Sequence, residues 1–393
     1  MESLLSYPSV RLTRPLGEGI KRGHPWIYRE ALDFSPQLLD GEVVDLLDSR
    51  GEFVARGTLE PSSTLTFRAW TLDASEDVDA ELVRVRLTRA LEMRRSILGD
   101  DITGFRVCHG ENDFIPGLQC DLYGDVASLR CDGALGQAWE DIFVWAVKKV
   151  LEPSAILIRN HVMQEGRARI ITGTIPGDVV IQERSRRFHV SVTDGQKTGF
   201  FLDQRDNRER VGAISRGQRV LNLFSYTGGF SVAAAQGGAS RVVTVDIAGP
   251  AVEAARQNFL LNGLPLEPHG FETADAFDVI AGLAEAPPQY DVIVLDPPSF
   301  ASSRKNLPRA LKAYEKLNEL ALKALPVGGW LATASCSSHL READFLDVLI
   351  AASLRSGKKI TLAGVYGAAP DHPTRLGFPE GHYLKFVLAR VVA

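Results

Sequence analysis

Apolar and polar residues alternate over three short runs near the amino end, Glu42 to Leu47, Glu52 to Gly57 and Leu65 to Trp70. Asp48-Ser49-Arg50-Gly51 and Glu60-Pro61-Ser62-Ser63 separate them. Alternation bounded by turn residues predicts a small β barrel or sandwich. The acidic stretch Leu72 to Asp77 reads as a linker. From Ala80 to Ile97 the period lengthens to that of a helix, with Val83, Leu87, Ala90 and Leu91 on one face and the arginines mostly on the other. That helix opens a middle α+β unit. It continues with strand-like runs Phe105 to Cys108, Gly117 to Leu122 and Val126 to Cys131, a helix from about Leu135 to Val150 and a strand from Ala155 to Arg159.

Beyond Val190 strands and helices alternate. Strands are expected at Arg219 to Phe224, Arg241 to Val245, Asp291 to Leu295 and Trp330 to Thr333, and helices at Phe230 to Gln236, Gly249 to Asn262, Pro308 to Ala324 and Arg341 to Arg355. Two more strand-like runs, Lys359 to Leu362 and Tyr383 to Val392, close the chain. Such alternation builds an α/β, Rossmann-like parallel sheet covered on both faces. Three domains are therefore expected, spanning residues 1–74, 75–189 and 190–393.

Composition narrows the class. The 393 residues are 45% hydrophobic and 24% charged, which suits a folded chain of two or three domains. No run approaches the roughly 20 apolar residues of a membrane span, and Met1-Glu2-Ser3 opens no signal peptide, so a cytoplasmic protein without membrane association is expected. Cys108, Cys120, Cys131 and Cys336 form neither a disulfide framework nor a Cys-x-x-Cys pair, and no metal site is expected. Cys108, His109 and Glu111 are close in sequence, but strand-turn residues so spaced suit a hairpin better than a metal.

The net charge of −5 argues against indiscriminate nucleic-acid binding. Three basic clusters nevertheless stand out: Arg11, Arg14, Lys21, Arg22 and Arg29; then Arg84, Arg86, Arg89, Arg94 and Arg95; then Arg184, Arg186 and Arg187. Such clusters are commonly solvated faces, yet three together suit a polyanionic partner.

The candidate chemistry lies at strand ends. After Val220 to Phe224 comes Ser225-Tyr226-Thr227-Gly228-Gly229-Phe230, a glycine bend that lets a ligand approach the backbone at a helix amino end. Asp246 ends the next strand, where an acid can accept hydrogen bonds from both ribose hydroxyls. Asp275, where a third strand would end, can accept from an adenine amine or cap the following helix. The bend lacks Gly-x-Gly-x-x-Gly, which counts against a nicotinamide cofactor. Asp296, in Asp296-Pro297-Pro298-Ser299-Phe300, and Cys336, in Ser335-Cys336-Ser337-Ser338, follow two buried-looking strands and so face one crevice. Each has a plainer alternative, turn chemistry for Asp296 and a small buried apolar side chain for Cys336.

With these residues assembled, the chain resembles the bacterial RlmI-type 23S rRNA cytosine-5 methyltransferases, a class I S-adenosylmethionine family with an N-terminal PUA domain. The resemblance runs over nearly the whole chain. It includes Gly23-His24-Pro25-Trp26, Ala55-Arg56-Gly57, Gly110-Glu111-Asn112-Asp113 with Pro116-Gly117, the block Lys197 to Arg205, Asn222 to Phe230, Asp296 to Phe300 and Ser335 to Ser337. It implies S-adenosylmethionine as cofactor, with Gln204, Phe224 and Tyr226 lining its methionine end. It also implies 23S rRNA or a large-subunit precursor as partner, gripped by the PUA-like unit and the basic clusters with the target cytosine flipped out. Cys336 is then the thiolate that adds to carbon 6, and Asp296 the group that hydrogen-bonds near ring nitrogen 3 and favours its protonation. Ser299 stands where many RNA cytosine-5 methyltransferases carry a second cysteine, so the base that removes the carbon 5 proton is unassigned. Two alternatives stay open: a guanine-nitrogen methyltransferase of the same architecture, and a non-catalytic RNA-binding ribosome-assembly factor. A homodimeric state is also left open.

Overall fold

The structure, a computed structural model, describes residues 7–159, 168–177, 179–193, 199–301 and 304–393. Lys197 and Thr198 of the block before the first catalytic strand lie outside the described residues. The chain forms two compact units. The first comprises Met1–Ile181, Val190–Leu202 and Pro370–Gly381, the second Gln182–His189, Asp203–Ala369 and His382–Ala393.

In the first unit, a six-stranded sheet runs in the order Trp26–Tyr28, Leu65–Thr71, Phe53–Leu59, Glu42–Leu47, Ser9–Leu12, Leu32–Asp33. The three alternating runs are its centre, and Val44 and Leu46 bury one face of theirs. Gly57 is required there, because a Cβ would come within 2.2 Å of the Arg68 carbonyl oxygen. A five-stranded sheet follows, in the order Arg169–Thr172, Ala155–Ile158, Val126–Cys131, Leu118–Tyr123, Gly104–His109. The helix Ala80–Ile97 begins as its residues require, with the Asp79 carboxylate accepting from the Leu82 N–H at 2.9 Å.

Two expectations need correction. The single helix from Leu135 to Val150 is two, Gly133–Ala138 and Glu140–Leu151. They break at Trp139, whose indole is tied down, donating to the Gly41 carbonyl at 2.8 Å with its ring 5.0 Å from that of Trp70. The second basic cluster is also partly internal. Arg94 is fully buried and makes paired bonds of 2.6 and 2.7 Å to Asp113, and Arg86 bonds Glu76 at 2.9 Å. Arg94 falls seven residues after Leu87, on the apolar face of its helix, where the Asp113 carboxylate compensates its charge. Of the third cluster, Arg186 is buried against Glu209 at 2.9 Å. The five basic residues from Arg11 to Arg29 are exposed. Glu111 takes Arg68 at 2.5 Å and the Trp26 indole at 3.0 Å, which makes it a structural anion.

The second unit is built on a seven-stranded sheet: β1 (Arg219–Leu223), β2 (Arg241–Asp246), β3 (Gly270–Thr273), β4 (Val292–Leu295), β5 (Trp330–Ser335), β6 (Ile360–Tyr366) and β7 (Lys385–Val391). Its helices are α1 (Arg205–Ile214), α2 (Gly229–Gln236), α3 (Gly249–Leu261), α4 (Ala276–Ala284), α5 (Leu307–Ala324) and α6 (Glu342–Ser356). The sheet order is β3-β2-β1-β4-β5-β7-β6, parallel except for β7, which runs antiparallel to both its neighbours. The unbroken apolar run Val292-Ile293-Val294-Leu295 is wholly buried, as a central parallel strand covered on both faces must be. The chain winds outward from β1 through β2 to β3, then returns to lay β4 on the other side of β1. This reversal is the switch point at which open α/β sheets bind ligands.

Helices α1 and α2 cross at glycine. A Cβ on Gly237 would stand 2.1 Å from the Gly212 carbonyl oxygen, and one on Gly212 would stand 2.9 Å from that of Ala233. Gly237→Ala should therefore destabilise the protein by about 1–3 kcal/mol through overpacking, read as a lower midpoint in denaturant unfolding.

Candidate active site

The turn between β1 and α2 is held in an unusual backbone conformation. Phe224 has φ 57°, Tyr226 φ 48° and Gly228 φ 77°, three alternate residues in the left-handed region. For a non-glycine residue this costs about 1–3 kcal/mol and persists only where surrounding bonds enforce it. Here the Ser225 N–H donates to Val245 O at 3.0 Å, the Tyr226 N–H to the Asp246 carboxylate at 2.8 Å, and the Asn258 side chain to Thr227 O at 2.9 Å. At Gly228 only glycine fits, since a Cβ would lie 2.7 Å from that of Ala255. Gly228 is the N-cap of α2 and offers no side chain to its free N–H groups.

Asp246 thus sets the turn as well as ending β2, and its second oxygen accepts from the Ala248 N–H at 2.9 Å. Asp275 caps α4, accepting from the Phe277 N–H at 2.7 Å, so its capping role is realised. The ring of Phe277 lies edge-on to Phe224 at 6.1 Å and 6.0 Å from Phe300, which lies 4.7 Å from Tyr314. This aromatic row leads from the turn to the second group of site residues.

In that group Gln204, almost fully buried, donates from Nε2 to Asp296 Oδ1 at 3.0 Å and accepts from Asn207 at 2.7 Å. Gln204 therefore positions Asp296, a connection its place before a strand did not reveal. Cys336 follows the last residue of β5 and is partly exposed. Tyr314, from α5, takes a hydrogen bond from Ser335 at 3.0 Å. Burial pushes the Tyr314 hydroxyl up to about 12; the Ser335 bond opposes this, and the nearby Cys336 and Asp296 charges add to it. Tyr314 thus stands close to both Cys336 and Asp296. The Ser337 hydroxyl donates to Ala301 O at 3.2 Å, tying the segment after Asp296 to that after Cys336.

Three residues missed in the sequence complete the site. Lys385, at the start of β7 and almost fully buried, donates to the carbonyls of Ser337 at 2.5 Å and Tyr383 at 2.8 Å. The Tyr383 hydroxyl donates to Asp203 at 2.6 Å, one residue before Gln204. Tyr314 is the third. A lysine inside the apolar run Leu384-Lys385-Phe386-Val387 was the available clue.

A family model described as S-adenosylmethionine-dependent methyltransferase matches residues 155–353, and one described as a PUA-like domain matches 10–72. Proteins named ribosomal RNA large subunit methyltransferase I are similar over nearly their whole length. That of Aeromonas salmonicida is 35% identical, covering 97% of this chain and 98% of its own, and that of Aeromonas hydrophila is 36% identical, covering 97% and 99%. The chain belongs to this S-adenosylmethionine-dependent methyltransferase family. Among solved structures, a Streptococcus mutans chain described as an S-adenosylmethionine-dependent methyltransferase shares the fold, with a TM-score of 0.86 at 24% identity over 98% of this chain and all of that one.

The family's cofactor is S-adenosylmethionine, and the donor set fits it. Carboxylates of Asp246 and Asp275 stand at successive strand ends on one side of the turn. The amino end of α2 lacks a side-chain cap, and the buried Thr227 hydroxyl beside it has no partner among the described residues.

The four cysteines differ sharply. Burial pushes the Cys131 thiol up to about 12 and raises those of Cys108 and Cys120 as well, whereas Cys336 reaches solvent. Iodoacetamide applied to the native protein should modify Cys336 alone, the other three reacting only after denaturation, as peptide mass spectrometry would read.

Proposed function

We propose that this protein methylates carbon 5 of a cytosine in large-subunit ribosomal RNA through a covalent bond between Cys336 and carbon 6 of the base. The observation that carries the reading is Cys336 itself, the one partly exposed cysteine of the chain, placed just beyond β5 beside the strand that delivers Asp296. The names of the relatives support the RNA class, and the PUA-like match and the exposed Arg11-to-Arg29 cluster suit a surface for its phosphates.

Carbon 5 of cytosine is a poor nucleophile. Addition of the Cys336 thiolate to carbon 6 forms a carbon–sulfur bond and moves the 5,6 π-electrons onto carbon 5, which becomes enamine-like. Asp296, fixed by Gln204, hydrogen-bonds the ring near nitrogen 3 and favours its protonation as the thiolate adds. S-adenosylmethionine, when bound, supplies a sulfonium methyl group that such a carbon can attack. Water takes the carbon 5 proton as the double bond re-forms and the thiolate leaves, and the proton held at nitrogen 3 is released in turn. Asp246 and Asp275 hold the ribose and the adenine amine. Phe224, Tyr226 and Gly228 shape the methionine end, towards which the uncapped N–H groups of α2 can turn for a carboxylate.

Incubation with 23S rRNA transcript and labelled cofactor, followed by nuclease digestion and mass spectrometry, should yield 5-methylcytidine. Methylguanosine instead would overturn the cytosine assignment. Cys336→Ala should lower turnover about a thousandfold or more with cofactor binding intact by calorimetry, and retained turnover would refute the covalent step. Asp246→Ala should weaken cofactor binding about 10–100-fold, the equivalent of hydrogen bonds totalling about 1–3 kcal/mol.

A further inference from the structure

Two strand ends meet at Cys336. In the antiparallel pairing of β5 with β7, Ser335 lies opposite Lys385, so the lysine starts beside the residue before the thiol. Its ammonium then reaches the carbonyl of Ser337, the residue after it, at 2.5 Å, and that of Tyr383 at 2.8 Å. Cys336 is bracketed by the two contacts. A buried ammonium is costly, and two carbonyl oxygens only partly offset the loss of water. Folds keep such a group where its charge has a use.

We propose that Lys385 is a positioning residue for the nucleophile, whose buried positive charge fixes the Ser335–Ser337 turn and favours the thiolate form of Cys336. The proposal rests on the reading of Cys336 as the attacking thiol. An opposite charge beside a thiol favours its ionised form. The charged and titratable groups that act on the lysine are Cys336 after β5 and Glu342 and Asp344 at the start of α6; the Cys336 and Asp296 charges both act on Tyr314. Burial lowers Lys385 to about 8, against the three anionic groups, which raise it. The ammonium is therefore mostly charged at neutral pH, and its support for the thiolate fades as pH rises through about 8. No bond is made or broken by the lysine, and its effect acts through the sulfur.

The pH dependence of Cys336 alkylation by iodoacetamide tests this on the full-length protein without RNA or cofactor, with Cys336 followed by its own peptide. In the unaltered protein the midpoint should fall below the value of about 8.5 usual for a free cysteine, and a midpoint at or above it would overturn the proposal. In Lys385→Met the midpoint should rise by about one unit or more, and in Lys385→Arg, which keeps the charge, it should stay low. An unmoved midpoint in folded Lys385→Met, with folding checked by circular dichroism and cofactor calorimetry, would equally overturn it. Alkylation needs no catalysis, so the two readings fail separately. Retained methyl transfer in Cys336→Ala refutes the nucleophile, and an unshifted midpoint refutes the lysine's role.

Discussion

In-register parallel pairing across β2, β1, β4 and β5 is the constraint on which the site depends. Leu223 lies opposite both Val245 and Leu295, and Leu295 lies opposite Thr333. Phe224, Asp246 and Asp296 consequently leave their strands at the same level, with Cys336 three residues past Thr333 on the next strand. A slip of one residue would move every side chain of a strand to the opposite face of the sheet and carry the residue at its end out of level with its neighbours. Hydrophobic burial along the strands thereby sets the spacing of the polar groups at their ends.

The antiparallel strand β7 adds what parallel strands cannot. Its direction brings Lys385, its first residue, and Tyr383 just before it to the carboxyl ends of the others, where they reach Ser337 and Asp203. Gln204, one residue after Asp203, reaches Asp296. Asp296 and the segment around Cys336 are thus joined by one continuous chain of side-chain and backbone contacts, which fixes their geometry.

Much of this was legible from sequence, for reasons tied to particular residues. The periodicity over Ala80 to Ile97 matches the helix, and the apolar runs ending at Asp246, Asp296 and Cys336 are parallel strands because length and composition suffice to mark buried strands. What escaped depends on contacts between residues remote in the chain. Lys385 lies beside Ser335 only through an antiparallel register that no local pattern encodes. Gln204 could be placed near the cofactor by resemblance, but its bond to Asp296 spans 92 residues. Arg94 reads as one of a run of basic residues, and although helix periodicity sets it on the apolar face, no local pattern shows the Asp113 carboxylate that lets it be buried there. The break at Trp139 follows from a hydrogen bond to Gly41, far upstream.

The left-handed turn at Phe224 and Tyr226 has a consequence for how a ligand would be received. Its strain is held by the chain's own hydrogen bonds to Asp246, Val245 and Asn258, so the cost falls on the stability of the fold and is absent from the binding equilibrium. Stability and affinity are therefore opposed at this turn. A change that relaxed it would let the chain fold more comfortably and leave the ligand to order the loop itself.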